Sequence, residues 1–248
     1  MIQRTFMTYV PPPSPMSTYV PTHYRTHTLG EIQSNGAKLL DSEVTVAGFM
    51  EANRGKGAIC FVDLRDGTGK TQIFLKADNV GEAALDMVQR MTRESTLQFT
   101  GTVSEKRPPK LQEGQTPPPP TYEVIASTVT VIAKAAAPLP LGVTDTVNVE
   151  LDTRLDNRFL DLRREHIAAM FRLRGKVLQY GREALINEGF FETHTPKIVA
   201  TATEGGTDLF PMQYFDTPAF LNQSPQLFKQ LCMSGGLERV FEIGPAFR

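Results

Sequence analysis

Between Ser42 and Lys134 the chain runs through five short segments of alternating apolar and polar residues, broken once by a stretch of helical spacing. Val44–Met50, Ala58–Leu64, Thr71–Leu75, Thr96–Val103 and Tyr122–Ile132 are rich in β-branched and aromatic residues, the composition of a pleated surface with one dry side. Asp66-Gly67-Thr68-Gly69 supplies a turn between the second and third segments. Between the third and fourth, Val80–Met91 sets Ala84, Leu85, Val88 and Met91 on one helical face.

Three strands, a helix and two strands is the order expected of a five-stranded OB barrel. Alternation then assigns the faces. In Ala58–Leu64 the apolar set Cys60, Val62 and Leu64 points inward, which leaves Ile59, Phe61 and Asp63 outward. In Thr71–Leu75, Thr71, Ile73 and Leu75 go inward, and Gln72 and Phe74 face out beside Phe61. An exposed aromatic next to a two-headed amide suits single-stranded RNA, because the ring stacks on a splayed base while the amide reads an edge. A Phe61 packed under a loop fits the same pattern equally well, and OB barrels also bind sugars and proteins. The formal net charge is −1, so any RNA surface is local rather than global.

Residues 1–23, rich in Pro, Ser and Thr, read as a disordered lead before a barrel domain at 24–134. They have no apolar core and so do not form a secretory signal. Pro108, Pro109 and the four prolines from Pro117 mark residues 107–120 as a flexible or polyproline insertion before the last strand, read as a tolerated loop, with a docking ligand for a proline-reading domain as the alternative. Residues 135–153 form a hinge, and 154–248 a second domain. A helix is predicted from Ile167 to Glu188, with Ile167, Met170, Phe171, Val177, Leu178 and Leu185 on one apolar stripe and Gly189 as its C′ cap. Phe190–His194 reads as a strand ended by Pro196. No apolar run approaches the roughly 18 residues of a membrane helix. Cys60 and Cys232 lie far apart in apolar surroundings, which argues for buried free thiols rather than a disulfide or a metal site.

Two segments of the second domain stand out. Ser224-Pro225-Gln226-Leu227-Phe228-Lys229-Gln230 opens a helix, with Ser224 as N-cap, Pro225 at N1 and Gly235-Gly236 at its end. Gln226 and Lys229 share one face, while Leu227 and Leu231 anchor another in the core. A Lys and a Gln near a helix N-terminus can hold an anion, although spacing alone favours a solvated polar face. Ala202-Thr203-Glu204-Gly205-Gly206-Thr207 is a Gly-rich loop of the kind that closes over ligands, or an ordinary surface turn.

The run from His194 to Thr207 and the run from Phe220 to Gln230 resemble aspartyl-tRNA synthetases, class II, of the archaeal and eukaryotic cytosolic type. Arg154–Arg163 is similar to the start of that family's catalytic domain, and Val240–Arg248 to the first strand of class II motif 2. With the barrel, the likeness covers roughly residues 24 to 248. The resemblance implies an α+β multidomain fold: an N-terminal five-stranded OB barrel followed by the N-terminal part of a class II antiparallel α/β catalytic domain.

The resemblance also implies a chemistry and its residues. Such enzymes join L-aspartate to ATP, with Mg2+, and pass the aspartyl group to tRNA(Asp). Carried over by position, Lys229 pairs with the substrate's side-chain carboxylate, Gln226 holds its carboxylate or amino end, Glu204 meets its α-amino group and Ser224 lines the pocket. Arg248 matches the catalytic motif 2 arginine that grips the ATP α-phosphate, and Pro196 the motif 1 proline of a homodimer interface. Phe61, Gln72 and Glu123 match anticodon-reading positions. A cation at Lys229 favours aspartate over asparagine or lysine as the amino acid. Phe49 stands where relatives often carry tryptophan, which leaves charging of tRNA(Asn) open.

The family pattern continues past Arg248, so the chain is expected to be a fragment of a cytoplasmic enzyme. Its magnesium ligands are expected beyond residue 248, and little ligase activity is expected of the chain alone. A non-catalytic RNA-binding protein derived from a synthetase is the alternative.

Overall fold

The computed structural model describes residues 24–108, 118–143, 148–201 and 209–247. The lead, most of the proline insertion, the Gly-rich loop with Glu204, and Arg248 lie outside the described residues. The chain divides into two compact units, Met1–Leu141 and Gly142–Arg248.

The first unit opens with helices α1 (Leu29–Ser34) and α2 (Gly36–Leu39). Strands β1 (Glu43–Lys56), β2 (Ile59–Arg65) and β3 (Lys70–Lys76) follow, then helices α3 (Ala77–Val80) and α4 (Glu82–Gln89), then β4 (Thr96–Glu105) and β5 (Tyr122–Ala133). The strands close into a barrel in the order β1-β2-β3-β5-β4. All pairs are antiparallel except β3 with β5. Strict alternation fills the interior: Val44, Val46 and Met50 from β1, Cys60, Val62 and Leu64 from β2, Ile73 and Leu75 from β3, Leu97, Phe99 and Val103 from β4, and Val124 and Ala126 from β5 are all buried. Burial pushes the Cys60 thiol up, against a smaller opposing effect of the Arg54 backbone.

The expected helix over Val80–Met91 is α4, Glu82–Gln89, preceded by the short α3 that ends at Val80. Gly81, at φ +86, breaks the chain between α3 and α4, a backbone conformation that side chains disfavour. Leu85 and Val88 are buried as the spacing requires, and Met91 packs on the core from beyond the helix end.

Helix α1 was not foreseen, although its signature is in the sequence. Thr28 caps it, and Glu31 bonds back to the Thr28 backbone, completing a capping box. Leu29 and Ile32 close one end of the core. The β2–β3 turn is fastened to this helix, since the Asp66 carboxylate accepts the Leu29 N–H (3.0 Å) and a bond from Arg25 (2.9 Å). Gln33 then bridges to β5: its amide donates to the Tyr122 carbonyl (2.7 Å) and accepts the Tyr122 N–H (3.2 Å). Gly36 lies under the Tyr122 ring, where an added Cβ would come within 2.1 Å of it.

The second unit holds α5 (Leu151–Asp156), α6 (Arg158–Asp161), α7 (Glu165–Asn187), β6 (Phe191–Glu192), β7 (Ile198–Val199), β8 (Pro211–Tyr214), β9 (Thr217–Leu221), α8 (Gln226–Ser234) and β10 (Val240–Phe241). Strand β9 lies antiparallel between β7 and β8, and β10 pairs parallel with β6. Helix α7 ends at Gly189, φ +80, in a Schellman motif: the Phe190 N–H bonds Leu185 O (3.0 Å) and the Gly189 N–H bonds Ile186 O (2.9 Å). Gly236 ends α8 the same way.

The apolar faces of α7 and α8 are largely open. Of the α7 stripe only Ile167 is buried; Met170, Phe171, Val177 and Leu178 are exposed and Leu185 is half-buried. Leu227 and Leu231 on α8 are likewise exposed rather than core anchors. Helical spacing says which side of a helix is apolar and nothing about what covers it.

Order at the start of this unit comes from charge. Asp161, fully buried, accepts bonds from Arg154 Nε (2.9 Å) and Arg158 (2.6 Å), with Arg164 at 3.9 Å. Burial alone pushes the Asp161 carboxyl up, but the bond and charge of Arg154, with the charges of Arg158 and Arg164, outweigh it and hold the group below its ordinary value.

Two outcomes are expected. Gly36→Ala forces the Tyr122 ring off its seat and lowers barrel stability by about 1–3 kcal/mol, read as a drop in the urea midpoint followed by tyrosine fluorescence. Asp161→Asn leaves the arginines without their counter-charge and costs on the order of 3 kcal/mol at neutral pH. Because the folded carboxyl titrates below its unfolded value, the wild-type advantage is present above about pH 4 and fades as pH falls through the unfolded and then the folded pKa. Thermal unfolding followed down that range therefore converges for the wild type and Asp161→Asn.

Candidate functional site

The outer face of the barrel gathers the residues that parity sends outward. Phe61 on β2 lies opposite Phe74 on β3, their ring centroids 5.1 Å apart and tilted by 35°. Next to them Asp63 pairs in register with Gln72, and Gln72 pairs across the parallel ladder with Glu123. Arg54 straps Asp63 with two 2.8 Å bonds. Two half-buried rings beside an amide and a carboxylate make a surface that can stack a base and address its edge.

The amide is held at both ends. Gln72 Nε2 donates to Glu123 Oε2 at 2.9 Å, and Lys106 Nζ donates to Gln72 Oε1 at 2.7 Å. Lys106 was missed in the sequence. The parity of β4 was the available signal, since Leu97, Phe99 and Val103 point inward and send Ser104 and Lys106 out.

In the second unit, Ser224, Gln226 and Lys229 sit at the start of α8. The helix begins at Gln226 with Pro225 as its cap residue, one position later than expected, yet the Ser224 hydroxyl still accepts the Gln226 N–H (3.2 Å). Ser224 is buried, Lys229 half-buried and Gln226 exposed. Lys229 and Gln226, three apart, therefore share a face near the start of α8, where the helix dipole favours an anion.

What fixes this turn is Asn222, which sequence reading passed over. Its side-chain amide donates to the Pro196 carbonyl (2.8 Å), and its backbone N–H donates to the Lys197 carbonyl (2.9 Å). Its side-chain oxygen accepts the Ser224 N–H (3.1 Å), and its backbone carbonyl accepts the Phe247 N–H (3.2 Å). One buried residue thus joins the segment of Pro196, the turn before Lys229 and the segment that leads to Arg248.

A second knot lies beside it. The Glu242 carboxylate, buried behind β10, is bonded by the Lys197 ammonium, the Thr195 hydroxyl (2.8 Å) and the Thr195 N–H (3.3 Å). Burial pushes the Glu242 carboxyl up; the bonds from Lys197 and Thr195 outweigh it and hold it below its ordinary value. Pro196, flanked by Thr195 and Lys197, is itself exposed. Among the described residues no group of three or more His, Cys, Asp or Glu could hold a metal ion, and no helix is long and apolar enough to cross a membrane.

Comparison with known proteins accounts for both units. Residues 44–132 match the OB-fold nucleic acid binding domain, and residues 150–248 match class II tRNA synthetases of the D, K and N group. An aspartate–tRNA(Asp/Asn) ligase from Methanosarcina barkeri is 49% identical over 227 residues, 92% of this chain and 48% of that protein. An aspartate–tRNA(Asp) ligase from Picrophilus torridus is 47% identical over 206 residues, 83% of this chain and 46% of that protein. The crystal structure of asparaginyl-tRNA synthetase from Pyrococcus horikoshii complexed with asparaginyl-adenylate superposes with a TM-score of 0.72 at 30% identity, covering 85% of this chain and 46% of that one. The chain spans about half the length of the curated relatives it matches. A closed OB barrel followed by this catalytic-domain segment, with such identity through both, makes the chain a member of the aspartyl-tRNA synthetase family of class II tRNA synthetases.

Proposed function

We propose that this protein acts as an aspartate–tRNA ligase in the cytoplasm, as a homodimer with Pro196 at the subunit interface. The α-carboxylate of L-aspartate attacks the α-phosphorus of ATP; a new P–O bond forms, the bond to the β-phosphate breaks, and pyrophosphate leaves. A terminal ribose hydroxyl of tRNA(Asp) then attacks the activated carbonyl, and AMP departs. Magnesium, when bound, offsets charge on the phosphates, and none of the described residues is assigned to it.

The observation that carries the reading is Lys229, a half-buried cation near the start of α8, three residues from Gln226. A compact ammonium in a half-desolvated pocket complements the side-chain carboxylate of aspartate and does nothing for the neutral amide of asparagine. Gln226 on the same face orients the other end of the amino acid, and Glu204 receives its α-amino group. Arg248 stabilises charge on the α-phosphate as it is attacked. On the barrel, Phe61 stacks and Gln72 and Glu123 address the anticodon. The relatives' names divide between tRNA(Asp) and tRNA(Asp/Asn), so the range of tRNAs charged is part of the same test.

The two units give separable outcomes. In the full-length product of the locus, Lys229→Met lowers kcat/KM for aspartate-dependent ATP–pyrophosphate exchange by roughly 30-fold or more, from a lost charge pair of about 2–5 kcal/mol. Exchange at wild-type rate in that variant would remove Lys229 from the pocket. Phe61→Ala leaves exchange intact and weakens binding of an aspartate anticodon stem-loop about 5- to 100-fold, the range of one lost base–aromatic stack. Titrating that stem-loop and one with the asparagine anticodon into the present chain measures the barrel's part directly.

A further inference from the structure

We propose that Lys106 is a positioning residue: it fixes which end of the Gln72 amide faces a bound base, and so decides which base the barrel accepts. The proposal rests on the reading of the Phe61–Gln72–Glu123 face as the anticodon surface. An ammonium only donates hydrogen bonds and a carboxylate only accepts them. The Gln72 amide lies between one of each, its oxygen 2.7 Å from Lys106 Nζ and its nitrogen 2.9 Å from Glu123 Oε2. Turning the amide over would set N–H groups against the ammonium and a carbonyl against the carboxylate. Both contacts would become repulsive, so the neighbours hold one orientation.

That orientation has a chemical consequence. Gln72 keeps one lone pair at the Lys106 end and one N–H at the Glu123 end, in fixed order. Uracil offers a ring N–H donor beside a carbonyl acceptor, whereas cytosine offers a ring nitrogen acceptor beside an amino donor. The two bases have the same size and stack alike on Phe61 or Phe74, so donor order is what separates them. A free amide could turn to suit either; a held one matches a single order and opposes the other. Lys106 is anchored for this role by its own backbone, whose N–H bonds the Thr121 carbonyl (2.8 Å) across the base of the insertion. Glu123, on the neighbouring strand, is Gln72's partner in register.

The test uses the chain as it stands and two RNA stem-loops, one with the aspartate anticodon and its central uracil, the other with cytosine there. Wild type is expected to bind the uracil loop about tenfold or more tighter, the discrimination of one good bidentate contact. Lys106→Met is expected to bring the two loops within about threefold of each other, chiefly by easing the cytosine loop's penalty. Lys106→Arg, which still donates, restores the preference. Equal weakening of both loops by Lys106→Met, with the preference intact and the salt slope reduced by about one, would mark Lys106 as a phosphate contact and overturn the proposal. A preference that survives unchanged in Lys106→Met, with no loss of affinity, overturns it as well. If wild type shows no preference and Phe61→Ala binds as wild type does, the anticodon-surface reading itself fails and takes this one with it. Lys106 is exposed, and an unchanged circular dichroism spectrum checks that each variant keeps the barrel.

Discussion

Closing five strands into a barrel gives every strand one dry face and one wet face, and a slip of one residue in any strand would exchange them. Everything on the outer surface of the first unit follows from that parity. Cys60, Val62 and Leu64 are committed to the core, so Phe61 and Asp63 have no choice but to face out. Ile73 and Leu75 commit Gln72 and Phe74 in the same way, and Val124 commits Glu123. The register between β2 and β3 then sets ring against ring and Asp63 against Gln72. The outer face that carries Phe61, Gln72 and Glu123 is therefore the other side of the hydrophobic core. A substitution that altered core register would scramble it without touching any of its residues.

The second unit is organised by a different force. Its buried apolar side chains among the described residues are Leu160, Ile167, Ala219 and Phe241, while Asp161, Arg164, Thr195, Asn222, Gln223 and Ser224 are also buried. Buried polar groups are tolerable only when bonded, and in a low dielectric those bonds are directional and strong. Asn222 shows what this achieves. Four bonds from one residue set the Pro196 segment, the first turn of α8 and the Phe247 segment at fixed distances from one another. The Glu242 cluster binds the Thr195–Lys197 stretch to β10 in the same manner. Such knots fix the spacing of these segments more tightly than apolar packing, which tolerates sliding.

The barrel was legible in the sequence because period-two alternation carries its own answer: five segments, their faces and their order follow from local composition. The capping box of α1 was equally local, and Thr28 with Glu31 would have disclosed it. What local pattern could not supply was partnership. The apolar stripe on α7 was visible in the sequence, but which of its residues are covered was not, because coverage depends on other elements: Ile167 is buried while Met170 and Val177 are exposed. Arg154, Arg158 and Arg164 could pass for a solvated charge run; their convergence on Asp161 appears only when the chain turns between α5 and α7. Lys106 meets Gln72 across 34 positions of sequence, and Asn222 meets Pro196 across 26. Residues that hold a side chain or a turn from a distant part of the chain carry no motif of their own.

The two proposed discriminations differ in kind, and the structure equips each accordingly. Aspartate and asparagine share shape and differ by a charge, so a single cation at Lys229 separates them even if its direction is loose, because Coulomb attraction falls off slowly with distance and angle. Uracil and cytosine share both shape and charge and differ only in the order of donors and acceptors. A lone amide could not separate them, since its two ends exchange by one rotation about a terminal bond with a broad, roughly two-fold profile. The barrel answers with two formal charges spent on orienting one neutral group, Lys106 at the oxygen and Glu123 at the nitrogen. Selection by charge needs one residue, whereas selection by hydrogen-bond order needs a residue and its jig.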